Sequence, residues 1–116
     1  NFLKKQLRDE KHEVFAALFL DNQHRVIAYE QLFHGSINVT TVHIRPIIER
    51  IIAHNAAALI IAHNHPSGVS DASTDDFEIT EVIKNAISFL DTRLLDHVII
   101  GDNEAFSIMQ QQKWLC

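Results

Sequence analysis

The chain has 116 residues, and 10 Lys and Arg against 15 Asp and Glu leave a net charge of −5. With 47% hydrophobic and 22% charged residues the composition excludes intrinsic disorder, and 3 Gly and 2 Pro exclude collagen-like and flexible-linker readings. The longest apolar runs, Val14–Leu20 and Ala56–Ala62, hold seven residues each, far short of the ~18 of a membrane span, and no signal-peptide pattern is present. A soluble single domain over residues 1–116 is expected.

Residues 1–11 are mixed and charged and read as a lead-in segment with a short helix. Glu13–Leu20 is rich in Val, Phe, Ala and Leu, Asp21-Asn22 signals a turn, and Arg25–Phe33 resumes with alternating character, which together predict a β-hairpin. Gly35-Ser36 breaks it, and Ile37–Val42 reads as a further strand or a loop. Pro46 suits the first turn of a helix; Ile47, Ile48, Ile51 and Ile52 supply its stripe and Asn55 its stop. Ala57–Ala62, ending in His63, predicts a buried central strand. Thr74–Leu90 predicts a helix, with Ile79, Val82, Ile83, Ala86, Ile87 and Leu90 on one face and Ser73 and Asp76 spaced as a capping box at its start. Leu94–Ile100, a Gly101-Asp102-Asn103 turn and Ala105–Met109 predict a second hairpin. The expected fold is mixed α/β, a mixed β-sheet flanked by helices.

The charge pattern bears on partners. No Lys or Arg occurs between Arg50 and Lys84, whereas Asp71, Asp75, Asp76, Glu78 and Glu81 all fall in that gap. A phosphate backbone is gripped by basic faces, so direct nucleic-acid binding is not expected, nor is membrane binding. Cys116 is the only cysteine, which removes internal disulfides and CxxC-type zinc or redox sites and makes the cytoplasm the expected compartment. A start at Asn1 rather than Met suggests a portion of something longer.

The segment richest in chemistry is His63-Asn64-His65-Pro66-Ser67-Gly68, followed by Ser73 and Asp76. In an extended chain residues i and i+2 point the same way, so His63 and His65 project side by side from a strand end. Asp76, in the first turn of the next helix, is within reach if the loop folds back. Two imidazoles and a carboxylate suit a catalytic Zn²⁺ that keeps its fourth position for water and lowers the pKa of that water towards ~7. Such a site also needs a carboxylate base close to the metal but not bound to it. Glu13 qualifies if its strand lies beside Ala57–Ala62. Each residue also has a structural reading. Any of the eight His, taken singly, is an ordinary surface or hydrogen-bonded residue. Ser73 and Asp76 are accounted for as a helix N-terminus, Glu13 as a solvated strand start, and Pro66-Ser67-Gly68 as a turn. The joint spacing is what singles out the site.

That spacing, His-x-His-Pro, six residues, Ser, two residues, Asp, is filled by His63, His65, Pro66, Ser73 and Asp76. It resembles the JAMM motif of the JAB/MPN metalloprotease superfamily. From roughly Glu13 to Ile108, over three quarters of the chain, the sequence is similar to the catalytic-type domain of the RadC family: Leu18-Phe19-Leu20-Asp21, Phe33-His34-Gly35-Ser36, Ala56–Ala58 with His63–Gly68, and Leu95-Asp96-His97 running to Gly101-Asp102. The resemblance implies a JAB/MPN fold, like that of the cytidine deaminases. It implies one zinc per chain with His63, His65 and Asp76 as ligands, Glu13 as general acid/base and Ser73 as hydrogen-bond donor to the substrate oxyanion. Deaminase chemistry itself does not fit, because it needs His-x-Glu followed by Pro-Cys-x-x-Cys. Two features depart from the family: the N-terminal helix-hairpin-helix region usual in RadC proteins has no counterpart here, and Ala72 stands where Pro commonly precedes the motif serine. The expected activity is zinc-dependent hydrolysis of a peptide or isopeptide bond in a peptide or protein substrate. The alternatives are a non-catalytic interaction module and a DNA-repair-associated accessory domain. Cys116, Ser67 and Ser107 lack the setting of a nucleophile.

Overall fold

Val14–Leu20 is apolar at every position, so both of its faces need cover. The structure, a computed structural model, describes residues 2–8, 11–68 and 70–115; Asn1, Asp9, Glu10, Val69 and the lone Cys116 lie outside the described residues. The elements are α1 (Phe2–Leu7), β1 (Val14–Leu20), β2 (Val26–His34), α2 (Ile44–His54), β3 (Ala58–Asn64), α3 (Thr74–Ser88), β4 (Arg93–Ile100), β5 (Glu104–Ser107) and β6 (Gln112–Leu115). The strands form one six-stranded sheet in the order β2-β1-β3-β4-β5-β6. Only β3 and β4 run parallel, joined through α3; the other neighbours are antiparallel. This is a mixed α/β fold with helices on both faces of a mixed sheet, consistent with the JAB/MPN architecture.

On one face Ile47 and Ile51 of α2 and Ile79, Ile83 and Ile87 of α3 pack on Phe15, Ala17, Phe19, Leu59 and Ile61. On the other, Leu3 and Leu7 of α1 cover Val14, Ala16, Leu18, Ala62, Val98 and Ile100. Every β1 residue is buried as a result, which is why its sequence is an unbroken apolar run rather than an alternation. Among the described residues no helix is long and apolar enough to cross a membrane.

Most predicted elements are present, with informative corrections. Val82 does not face the sheet: it is 44% exposed, whereas Ile83 is fully buried. At about 100° per residue, Ile79, Ile83, Asp76, Ile87 and Thr80 span an arc of about 100°, and Val82 lies about 60° outside it. Two polar residues, Asp76 and Thr80, complete the buried face in place of Val82. Ile52 is likewise exposed, standing about 140° round the helix from Ile47. The third helix ends at Ser88 rather than Leu90. Residues 37–42 are a loop, since Asn38 bonds its own neighbours Thr40 and Thr41 instead of a strand. Met109 falls in a turn, since β5 stops at Ser107. Strand β6 was not foreseen, because its polar start lacks alternation; pairing with β5 creates it.

Two polar anchors hold the end of the sheet where the motif lies. Asn64, buried, accepts from the Val14 N–H (2.6 Å) and donates to the His12 carbonyl (2.9 Å), so one side chain holds the peptide groups on either side of Glu13. The loop after β3 is fastened to the β4–β5 hairpin. The His65 N–H donates to the Ile100 carbonyl (2.9 Å) and the Asp102 N–H to the Gly68 carbonyl (3.0 Å). Glu104 accepts from both the N–H (2.7 Å) and the hydroxyl (2.6 Å) of Ser70. Glycine is required at both sides of this contact: Gly68 has φ +88°, and a Cβ on Gly101 would meet the Gly68 oxygen at 2.4 Å.

Two outcomes follow. Asn64→Ala strips partners from two main-chain groups and should cost about 1–3 kcal/mol in urea unfolding, with fast exchange of the Val14 amide. Hydrogen bonds from Ser70, aided by Lys113, lower the Glu104 pKa from 4.5 to about 2. Its stabilising contribution is therefore present above pH 4.5 and lost as the pH falls through about 2. Glu104→Gln should melt earlier than wild type at pH 7, and the gap should close on acidification.

Candidate metal centre

His63 is the penultimate residue of the apolar strand β3, buried and paired with Phe15 on β1 and Ile99 on β4. His65 follows just past the strand, with its backbone tied to β4. Alternation sends both imidazoles to the face covered by α3, while Asn64 between them bonds the backbone that leads into β1. Asp76 comes from the first turn of α3. The capping box is present: Ser73 Oγ accepts from the Asp76 N–H (3.1 Å), and Asp76 Oδ2 accepts from the Ser73 N–H (2.8 Å). The cap and the site share this carboxylate, so the two sequence readings of Asp76 hold together.

The three side chains converge. His63 Nε2 lies 3.0 Å from His65 Nε2 and 3.1 Å from Asp76 Oδ1, and His65 Nε2 lies 3.5 Å from Asp76 Oδ2. Among the described residues, His63, His65 and Asp76 are the group of His, Cys, Asp and Glu whose donor atoms all lie within 4.8 Å of one another. In a tetrahedral site with bonds of about 2.0–2.1 Å, neighbouring donors stand about 3.3 Å apart, a spacing bracketed by the observed separations. Nitrogen and carboxylate donors are also the chemistry zinc takes in catalytic sites. The residues present therefore fit the ion. Burial works to raise the Asp76 pKa, but bonds from His63 and His65 and the Ser73 N–H hold it well below the usual carboxylate range. It is a carboxylate at neutral pH.

Glu13 stands one residue ahead of β1. Extending the Phe15–His63 pairing by two residues sets it beside His65, on the face shared by Phe15 and His63. It is half-buried and outside the cluster of His63, His65 and Asp76. Its carbonyl accepts from the Gly35 N–H (2.9 Å), and its Oε2 accepts from the Ile37 N–H (2.8 Å). Ser73 is exposed at the N-terminus of α3; its oxygen accepts from Asp76, and a hydroxyl retains a hydrogen to donate.

Two residues at the site escaped the sequence reading. His97, on β4 and fully buried, has Nε2 2.9 Å from His63 Nδ1. Thr80, one turn beyond Asp76, has its hydroxyl 2.7 Å from His97 Nδ1. Burial, then the proximity of His63, pushes the His97 pKa well below the ordinary value. His97 is 34 positions from His63, so no local spacing reveals it; a histidine inside the apolar stretch Leu94–Ile100 was the available sign.

Comparison with known proteins agrees with this geometry. A family described as the RadC-like JAB domain matches residues 1–114. A UPF0758 protein of Legionella pneumophila (strain Corby) is 65% identical over 115 residues, covering 99% of this chain and 51% of the relative. UPF0758 proteins of Pseudomonas savastanoi pv. phaseolicola and Coxiella burnetii are 52% and 57% identical, over 96% and 90% of the chain. The chain spans about half the length of these curated relatives, 51%, 50% and 47%. With the match running through the motif and nearly the whole described sheet, the chain belongs to the RadC family of the JAB/MPN superfamily.

Proposed function

We propose that this domain is a zinc-dependent hydrolase of the JAMM type, cutting a peptide or isopeptide bond in a peptide or protein substrate. The observation that carries the reading is the convergence of His63, His65 and Asp76 at one buried point, at donor separations suited to a tetrahedral ion. Membership of a superfamily that contains metallohydrolases supports it.

In this reading His63, His65 and Asp76 hold the ion, one per chain. When bound, zinc supplies a Lewis acid and brings the pKa of water to about 7. Glu13 takes a proton from the attacking water and returns it to the leaving amine. Its geometry suits that work: Oε2 is anchored by the Ile37 N–H, and Oε1 is left to handle the proton. Ser73 Oγ–H donates to the oxygen of the carbonyl under attack. The acidic stretch from Asp71 to Glu81 argues against a nucleic-acid backbone as the ligand of this face.

The test is zinc content and hydrolysis of a pooled library of peptides and Lys-linked isopeptides. One zinc per chain is expected, and His63→Ala and Asp76→Ala should lose it while keeping the circular-dichroism spectrum. Glu13→Gln should retain zinc and lose ~10²–10⁴-fold in hydrolysis. Ser73→Ala should lose up to ~10²–10³-fold, with ~1 kcal/mol of stability from the missing cap. A folded wild type that takes up no zinc overturns the reading. So does a loaded protein whose hydrolysis is indifferent to Glu13→Gln.

A further inference from the structure

Glu13 and Asp76 lead from the site into two elements that face one another across an apolar groove. Glu13 Oε2 accepts from the Ile37 N–H (2.8 Å), and Ile37 begins the loop 37–42. Asp76 lies one turn before Ile79 on α3, about 4.5 Å along the helix axis. Between that loop, the start of α2 and α3 runs a groove lined by Val39, Val42, Ile44, Ile79, Val82 and Ile83. Every lining side chain is aliphatic. Val42, Ile79 and Ile83 are buried, whereas Val39 and Val82, from opposite walls, are exposed. The loop wall is held in place: Asn38 accepts from the Thr40 and Thr41 N–H groups, and the Thr41 hydroxyl donates to the Ser36 carbonyl (2.7 Å).

Size and charge narrow what the groove can take. Its volume is about 170 Å³, well under the ~300–1,000 Å³ of pockets that enclose a whole small ligand, so it suits a single side chain. An all-aliphatic lining offers no hydrogen-bond partner, and a polar group placed there would lose its water without compensation. The side chain is therefore aliphatic. On α3 the rim of the groove is acidic. Asp75 and Glu78, both exposed, stand about 20° and 40° from Val82 round the helix, and Lys84 stands about 160° away. Arg45, next to Ile44, stands about 160° round α2 from the buried Ile47, on the outer side, and His43 lies against Phe33. A rim of this sign favours a basic residue beside the aliphatic one.

We propose that this groove is a specificity subsite for a peptide segment, holding an aliphatic side chain one or two residues from the bond that is cut, with Asp75 and Glu78 attracting an adjacent Lys or Arg. The inference rests on the peptide-hydrolase reading of the site. An extended peptide advances about 3.3 Å per residue, so a segment whose carbonyl lies between Glu13 and Asp76 brings a neighbouring side chain to Ile79. Filling the groove takes the exposed Val39 and Val82 out of water, and that burial is the driving force.

The probes are the blocked tetrapeptides Gly-Leu-Lys-Gly and Gly-Lys-Leu-Gly, together with versions in which Leu is replaced by Gly or Lys by Glu. The metal-free protein, labelled at its valine and isoleucine methyls, is titrated with each and followed by proton–carbon correlation spectra. At least one parent peptide should move the Val39, Val82 and Ile79 methyls and bind ~10-fold or more tighter than its glycine version. Replacing Lys by Glu should weaken binding ~2–5-fold at low salt, a difference that fades at high salt. Val82→Glu, at an exposed position, should keep the circular-dichroism spectrum and lose the preference for leucine; Glu78→Lys should invert the preference for Lys over Glu. With zinc loaded, the leucine preference should reappear in kcat/KM and be lost in Val82→Glu. A wild type whose groove methyls ignore both parent peptides overturns the subsite, as does a zinc-loaded enzyme that cuts leucine and glycine versions equally, and in either case the hydrolase reading stands. Leucine-dependent binding in the groove of a protein that takes up no zinc overturns the hydrolase reading and keeps the groove as a peptide site.

Discussion

The carboxylate of Asp76 is bonded from several directions at once, and the site is organised around those bonds. Ser73 and Asp76 cap α3, the two histidines face the carboxylate, and the Asp76 main-chain carbonyl begins the bonds through Thr80 and His97. A carboxylate this deeply buried is tolerated only when its oxygens are satisfied, and here the satisfying groups come from a loop, a strand end and its own helix. That requirement sets the rotation of α3 and the place where the helix begins.

The helix can hold Asp76 there only because the sheet holds the histidines. β1, β3 and β4 are covered on both faces, and close packing gives their ends little freedom. The antiparallel pairing of β1 with β3 brings Glu13 beside His65, and Asn64 holds the peptide groups that flank Glu13. Between His65 and Ser73, Glu104 holds Ser70 and the Asp102 N–H holds the Gly68 carbonyl, tying this stretch to the neighbouring hairpin. A metal bound there would meet donors already in place, with little ordering entropy left to lose.

The site is accordingly graded from dry to wet. His97 and Thr80 are enclosed, His63 and Asp76 are buried, His65 is half-buried, and Ser73 is exposed. Glu13 and Ser73, the groups proposed to meet substrate, are half-buried and exposed.

The sequence by itself determined most of the strands, the helices and the grouping of His63, His65 and Asp76, because these are written in local periodicity and in spacing along one stretch of chain. His63, His65, Ser73 and Asp76 fall within 14 residues, so strand alternation and one helix start suffice to bring them together. What only the tertiary structure decided involves partners far apart in the chain. His97 reaches His63 across the parallel β3–β4 pair, Asn64 bonds residues 12 and 14, and Glu104 holds Ser70. The rotation of α3 belongs to the same class. A hydrophobic count scored Val82 as core, yet the hydrogen-bonding demand of His97 and of the site turned Thr80 inward in its place. Apolar periodicity shows that a helix has a buried face; where that face is centred depends on which polar groups opposite it need a partner.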